Sequence, residues 1–176
     1  MQHTIKIFSQ NHHRVISMRF DREKYTDLIL YLLSQCNSKP GFGKTVLCSI
    51  LYFIDFDYYS HYGELITNET YIKSKRGIKP QHFKEVCEEL ISKKFLFFRK
   101  EPYYNRTIYK YYLIIIPTPK FTSKELEIIN YAIDKFSDKN ATTITQYAKK
   151  DPSISITDFG EKIDCRHVLS KFNSNK

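Results

Sequence analysis

The chain has 176 residues, of which 41% are hydrophobic and 27% charged, so it carries enough apolar surface to fold around a core. This length favours one domain over two, and the composition excludes a wholly disordered chain. The formal net charge of +9 favours an acidic partner such as nucleic acid, although the many Lys and Asn residues are also typical of AT-rich coding sequence.

The cysteines and the apolar runs bear on where the protein works. Four cysteines lie far apart and form no C-x-x-C pair, namely Cys36, Cys48, Cys87 and Cys165. This spacing predicts reduced thiols, at least three of them on apolar helix faces. The first residues lack the apolar core of a signal peptide, and the longest apolar run, Val46 to Ile54, is too short to cross a bilayer. We therefore expect a soluble cytoplasmic protein without a membrane partner.

Two helices are predicted at the start of the fold. Apolar residues at helical spacing indicate a helix over 21–36, with Asp21 as its N-cap. Turn-forming residues follow, and helical spacing resumes at Lys44 until Gly63 ends a second, more buried helix.

A third helix and a β-hairpin are predicted next. After a polar stretch with a short β-prone piece at 70–72, helical spacing favours a helix from Pro80 to Lys93. The aromatic and β-branched runs at 95–98 and 108–116 then predict two paired strands.

The last predicted helices follow a capping box. Thr122 and Glu125 have the spacing that opens a helix, and a short helix follows near 141–150. The sequence predicts an α+β fold, a mainly helical single domain with a small antiparallel β-hairpin. Its predicted divisions are an N-terminal arm over 1–20, a domain over 21–150 and a poorly patterned C-terminal tail over 151–176.

The positive charge is concentrated in one part of the chain. Residues 73–124 hold 13 Lys or Arg against 4 Glu and no Asp, while the rest of the chain is balanced. Two helices followed by a hairpin are also the order of a winged-helix nucleic-acid binder. That interpretation makes the third helix a recognition helix with a wing behind it. In this interpretation the recognition helix is Pro80 to Lys93, Lys79, His82 and Lys84 face phosphates, and Arg99, Lys100 and Arg106 lie on the wing. The alternative is a small α+β domain with a lysine-rich surface.

Patterns that carry catalytic or metal chemistry are weak. The segment Gly41 to Thr45 ends like a phosphate-binding P-loop, but Ser38 stands where that loop needs Gly and a helix leads in. His3, His12 and His13 lack the fixed ligand spacing of a metal site. Asp55 and Asp57 lie two positions apart in the second helix, so their carboxylates cannot face each other to hold a cation. One of them is expected to be a structural partner within the fold. We expect no enzyme activity, no cofactor and no metal.

Short motifs in the second helix and after it resemble a known family. The run Lys44-Thr-Val-Leu-Cys-Ser-Ile-Leu-Tyr-Phe-Ile-Asp-Phe-Asp57 is similar to the K-L-L-Y-F-A-D core helix of the Panacea domain, the SocA-like antitoxin family of bacterial and phage-associated genomes. The following Tyr62-Gly-Glu-Leu-Ile-Thr67 is similar to that family's Y-G-x-P-I-T turn. Tyr71 with Lys75-Arg-Gly-Ile-Lys-Pro80, which includes Gly77, stands where the family has an aromatic residue and then G-P-V. The segment from Phe121 to Tyr147 resembles the last helices of the family.

The motif residues are expected to build the scaffold or to contact the toxin. Tyr52 and Phe53 extend an apolar helix face, and Gly63 can take the left-handed conformation that ends a helix. We predict that Asp55, half buried beside Tyr62, accepts hydrogen bonds from the Thr67 segment.

The resemblance implies a non-enzymatic antitoxin. It would bind and neutralise a cognate toxin encoded beside it, as a chaperone or by presenting the toxin to a protease. The alternative function, a winged-helix-like DNA-binding protein that regulates its own operator, remains open at this point.

Overall fold

The structure is a computed structural model that describes residues 19–118 and 120–169. It has a mainly helical α+β fold whose elements alternate helices with two short hairpins. The α-helices are α1 (Arg22–Cys36), α2 (Lys44–Tyr62), α3 (Phe83–Ser92), α4 (Ser123–Phe136), α5 (Ala141–Ala148) and α6 (Pro152–Ser155). The strands are β1 (Tyr71–Ser74), β2 (Gly77–Pro80), β3 (Leu96–Tyr103) and β4 (Arg106–Leu113), and a 3-10 helix covers Cys165–Leu169.

Helix α2 lies at the centre of the core. It contacts α1, α4, α5, β2, β4 and the 3-10 helix, so it is apolar nearly all the way round. Three of the four cysteines are buried in this core as free thiols, as predicted, and Cys165 is partly buried.

Local sequence signals set the helix ends as predicted. The Asp21 side chain accepts a hydrogen bond from the backbone N–H of Lys24 at 2.9 Å and caps α1. Thr122 and Glu125 form the predicted capping box at the start of α4. Gly63 ends α2 with a φ of 75°, a left-handed conformation that glycine adopts without steric strain.

The first hairpin, β1–β2, was foreseen only as a β-prone piece. Tyr71 pairs with Pro80 in its antiparallel register, so Pro80 belongs to β2. The prediction that α3 begins near Pro80 is therefore wrong by three residues. Pairing across the hairpin outweighs the preference of proline for a first helical turn, and the proline stands at the strand end, where its missing N–H breaks no ladder.

The second hairpin, β3–β4, is the predicted one with different ends. Its strands continue through the segment predicted as a loop and turn at Tyr104 and Asn105, and β4 ends at Leu113 rather than Ile116. The buried Lys110 fixes this hairpin to the rest of the fold, because its ammonium lies 3.3 Å from the backbone carbonyls of Asn37 and Lys39 after α1.

The segment after residue 150, predicted as a poorly patterned tail, packs on the domain in its described part. Ile154, Ile163 and Val168 are buried in the common core. The backbone N–H groups of Lys73 and Ile163 donate to Glu161 and Tyr71 respectively, so this segment pairs with the outer edge of β1. The division into arm, domain and tail stays a prediction.

Candidate functional site

The Asp55 cluster ties α2 to the segment that follows it. Thr67 donates its backbone N–H to the Asp55 carboxylate at 2.9 Å and donates its hydroxyl to the same group. The Tyr71 hydroxyl lies 2.8 Å from that carboxylate and 2.9 Å from the carbonyl of Leu51. The predicted hydrogen bonds between Asp55 and the Thr67 segment are therefore present.

Two details of that prediction were wrong. Asp55 is wholly buried rather than half buried, and its aromatic neighbour is Tyr71 rather than Tyr62. Burial raises the pKa of Asp55 from 3.8 to about 6, and the hydrogen bonds from Thr67 and Tyr71 oppose this rise. This carboxylate has its partners inside the fold, so its role is to hold elements together.

The motif aromatics face the core. Tyr52 packs against Phe56 and Tyr71, with ring centroids 4.1 and 5.5 Å away. Phe53 stacks on Phe136 of α4 at 4.5 Å. Both side chains are buried, so they join α2 to its neighbouring elements and have no free surface for a partner.

The turn glycines and Tyr62 complete the motif. Gly77 opens β2 with a φ of 117°, a conformation that other residues rarely adopt. Tyr62 is 38% exposed, the most exposed of the motif side chains, and Lys124 lies over its ring at 5.1 Å. Of the seven motif residues, Tyr62 is thus the one whose side chain could touch another protein.

The structure does not favour α3 as a recognition helix. Its exposed face carries Glu85 and Glu88 beside the single lysine Lys84, whose ammonium lies 3.6 Å from Glu88. Arg22 of α1 pairs with Glu85, and with Glu89 at 3.0 Å. A face dominated by carboxylates repels a phosphate backbone, so the prediction that α3 reads DNA is not supported.

Two other residues predicted to face phosphates, Lys79 and His82, precede α3 in the structure. Lys79 lies in β2, and His82 precedes α3 with its ring stacked on Phe20 at 4.0 Å. The His82 imidazole lies 2.9 Å from the buried Glu69 carboxylate, which also accepts the His82 backbone N–H at 3.1 Å. His82 is therefore held by contacts within the fold, with Glu69 and Phe20.

On the second hairpin, Arg99 and Lys100 lie over neighbouring aromatic rings. The Arg99 guanidinium is 5.1 Å from the Phe97 ring, and the Lys100 ammonium is 5.7 Å from the Tyr109 ring. Arg106 instead donates to the Thr142 hydroxyl at 3.2 Å, at the start of α5. The six residues predicted to bind nucleic acid thus do not share one surface.

Three of those six residues do meet in a cleft that the sequence did not predict. The cleft has a volume of about 1010 Å³ and lies between the start of α2, the β1–β2 turn, α3, the β3–β4 hairpin and the start of α5. Five cations line it, which are Lys44, Arg76, Lys79, Lys84 and Arg106. None of the described residues that line the cleft is an Asp or a Glu.

The P-loop-like segment forms one end of this cleft. A Cβ on Gly43 would lie 3.2 Å from the Tyr109 carbonyl, so the close approach of β4 explains this glycine. The segment is a turn that begins α2, as its sequence context indicated, and the hairpin backbone covers it.

The described ranges contain neither a candidate metal site nor a candidate membrane span. No group of three or more His, Cys, Asp or Glu residues is placed there to hold a metal ion. His3, His12 and His13 lie outside the described residues. Within 19–118 and 120–169, no helix has the length and apolar character needed to cross a membrane.

Glu69 and the cleft are the features that the sequence analysis missed. Glu69 is buried and accepts hydrogen bonds from the Thr70 backbone at 2.6 Å and from His82. A lone Glu in a polar stretch gives no local signal of burial. The cleft is formed by five segments that lie far apart in the sequence. The sequence therefore showed an excess of positive charge but not that these cations share one surface.

Comparisons with known proteins assign the chain to a family. The model of the family described as antitoxin SocA-like, Panacea domain, matches residues 47–153, which run from α2 into α6 and contain the Asp55 cluster. Searches among curated proteins and among solved structures each returned no match. The match covers more than half of the chain, and the chain therefore belongs to the SocA-like antitoxin family that carries the Panacea domain.

Proposed function

We propose that the protein is an antitoxin that binds a cognate toxin protein and neutralises it in the resulting complex. The observation that carries this proposal is the family match over residues 47–153. The structure adds a hydrogen-bonded framework around the Asp55 cluster and an open cleft that this cluster does not line. The partner is a protein encoded next to this chain in a bacterial or phage genome.

The proposal includes a non-enzymatic mechanism and a cytoplasmic location. A binding antitoxin acts in proportion to its amount, whereas an enzyme acts at a small fraction of the toxin concentration. The cysteines in the described part of the chain are free, which agrees with a reducing compartment. Binding without chemistry requires no cofactor.

Coexpression with the protein encoded beside it tests the function. Growth should stop when the toxin is expressed alone and resume when this chain is expressed with it, and the two proteins should copurify. Purified antitoxin added in steps should neutralise the toxin fully near a stoichiometric amount. Continued growth arrest and the absence of a complex would refute the proposal.

The same cells distinguish sequestration from delivery to a protease. If the antitoxin only binds its toxin, the toxin level measured by immunoblot stays constant as growth resumes. If it acts as a protease adaptor, the toxin level falls and recovers when the protease gene is deleted. A chaperone-like role predicts more soluble toxin in the presence of the antitoxin.

The structure does not support DNA binding as a second function. Its central element was a basic recognition helix, and the exposed face of α3 carries more carboxylates than cations. The remaining basic feature is the cleft, whose charge attracts any anionic partner.

A further inference from the structure

The cleft concentrates positive charge that the described residues neutralise only at Lys84, whose ammonium lies 3.6 Å from the Glu88 carboxylate. Five cations share one concave surface, and neither Arg76 nor Lys79 forms an ion pair with a described residue. Like charges in a concave site reinforce one another's field and attract an anionic partner. A ligand that brings carboxylates or phosphates into the cleft is therefore favoured.

The floor of the same cleft is apolar. Val46 and Phe83 are buried beneath it, while the Phe98 and Tyr109 side chains are 38% and 43% exposed. Tyr104, at the hairpin turn, is 89% exposed. Apolar floors with a charged rim are typical of protein interfaces, in which a few aromatic or aliphatic anchors carry most of the binding energy.

The aromatic rings are poorly placed to stack nucleic-acid bases. Phe98 and Tyr109 stack on each other with centroids 5.8 Å apart and planes 16° from parallel, and Lys100 also lies over Tyr109. The Tyr111 ring meets Phe83 edge-on at 5.6 Å. Proteins that bind single strands offer free ring faces to successive bases, and most rings here are already paired with one another.

This chain does not supply the anionic occupant. Residues 1–18 and 170–176 contain Lys, Arg and His but no Asp or Glu. A second copy of the chain carries a net charge of +9, so its approach is repelled. The charge in the cleft thus points to another protein.

We propose that the basic cleft receives an acidic segment of the partner toxin, with carboxylates on the rim cations and an apolar side chain on the floor. This inference rests on the proposed antitoxin function and names the surface and the chemistry through which the toxin is bound. It predicts that the toxin carries an exposed run of Asp or Glu interrupted by aromatic or aliphatic residues.

The test compares a charge reversal inside the cleft with one outside it. The cleft variant combines Arg76→Glu with Lys79→Glu, and the control combines Lys149→Glu with Lys150→Glu on an exposed site outside the cleft. The probes are a fluorescein-labelled peptide of alternating Glu and Phe, the same peptide with Lys in place of Glu, and labelled oligothymidine. A second measurement, made with the same variants, follows association with the protein encoded beside this chain.

Binding to the Glu peptide and association with the toxin should each fall by roughly tenfold or more in the cleft variant, because reversed charges oppose the ligand. The control should stay within about twofold of the native chain. If the reversal prevents folding, Arg76→Gln with Lys79→Gln should give a smaller loss in the same direction. Unchanged binding of the Glu peptide and of the toxin by the cleft variants would overturn the inference.

Two further outcomes separate the inference from the function. If the native chain binds and neutralises the toxin while the cleft variants do so equally well, the toxin binds elsewhere and only the inference fails. If the native chain does not bind the toxin, the proposed function fails. Tighter binding of oligothymidine than of the Glu peptide would assign the cleft to nucleic acid and overturn the inference.

Discussion

The Asp55 cluster and the basic cleft differ in how far their charged groups find partners within the fold. In the cluster, the wholly buried Asp55 carboxylate accepts hydrogen bonds from Thr67 and Tyr71, so its hydrogen-bonding partners lie within the fold. In the cleft, five cations face solvent, no described lining residue is an Asp or a Glu, and of these cations Lys84 alone pairs with a described carboxylate, that of Glu88. Hydrogen bonds within the fold hold a buried polar group in place, whereas charge exposed on a concave surface is available to a partner. The motif residues thus lie mainly in the scaffold, and the binding surface is expected elsewhere.

The largest loss of stability is expected from removing the C-terminal segment, because this segment contributes to the scaffold. A chain ending at Lys150 loses Ile154, Ile163 and Val168 from the core. At about 1.5–3 kcal/mol for each buried side chain, the free energy of unfolding should fall by about 4–9 kcal/mol. Urea denaturation followed by circular dichroism measures the change.

A matched pair of isoleucines controls for composition in that segment. Ile154→Ala should cost about 2–4 kcal/mol, while Ile156→Ala, at a position 60% exposed, should change stability by less than about 0.5 kcal/mol. Equal effects at both positions would mean that the segment does not pack as the structure shows.

The next largest loss of stability is expected from truncating the motif aromatics. Tyr52→Ala and Phe53→Ala should each lower the free energy of unfolding by about 3–5 kcal/mol, because both large rings are buried against other rings. Thermal melts should show a clear loss for each variant, and Tyr131→Ala, at a ring 53% exposed, serves as the control. Variants that melt like the native chain would move these aromatics from the scaffold to the binding surface.

The pH dependence of stability isolates the Asp55 carboxylate. Its pKa is raised to about 6 in the folded chain against an ordinary value of 3.8, so between these values the folded chain holds a proton that the unfolded chain releases. Stability therefore falls as the pH rises through this window, and the loss is complete above pH 6. Asp55→Asn removes this contribution.

The native chain should thus lose on the order of 1–3 kcal/mol relative to Asp55→Asn between pH 4 and pH 7. Denaturation curves at several pH values measure the difference, in which the other titrating groups cancel. Parallel profiles for the two proteins would show that Asp55 has an ordinary pKa and would weaken the contrast with the cleft.

The smallest change in stability is expected from substitutions in the cleft. Arg76→Gln and Lys79→Gln should each change the free energy of unfolding by less than about 0.5 kcal/mol, because both side chains are exposed and unpaired within the described fold. Differential scanning calorimetry checks this. A large loss of stability in either variant would make the cation part of the scaffold.

Features set by neighbouring residues were predictable from the sequence. The Asp21 cap, the Thr122 capping box and the glycine that ends α2 each depend on residues a few positions apart. The Asp55 hydrogen bond to Thr67 spans 12 positions and was foreseen from the motif resemblance. Local chemistry and the resemblance together therefore defined most of the scaffold.

Features made by distant segments were not predictable in the same way. The pairing of Ile163 with β1 and the burial of Glu69 depend on tertiary contacts that leave no periodic pattern in the sequence. The acidic face of α3 was visible, because Glu85 and Glu88 lie three positions apart and face away from Val86 and Leu90. Greater weight on that spacing would have disfavoured DNA binding before the fold was known.

The pairing of residues 160–163 with β1 also bears on the order in which the protein folds during synthesis. The ribosome makes β1 long before it makes the segment that covers its outer edge. Until residue 163 has emerged, that edge of the nascent chain offers unpaired backbone groups to other chains. The final closure of the fold is therefore a late event, and a chaperone or a partner that binds the nascent chain has access to this edge until then.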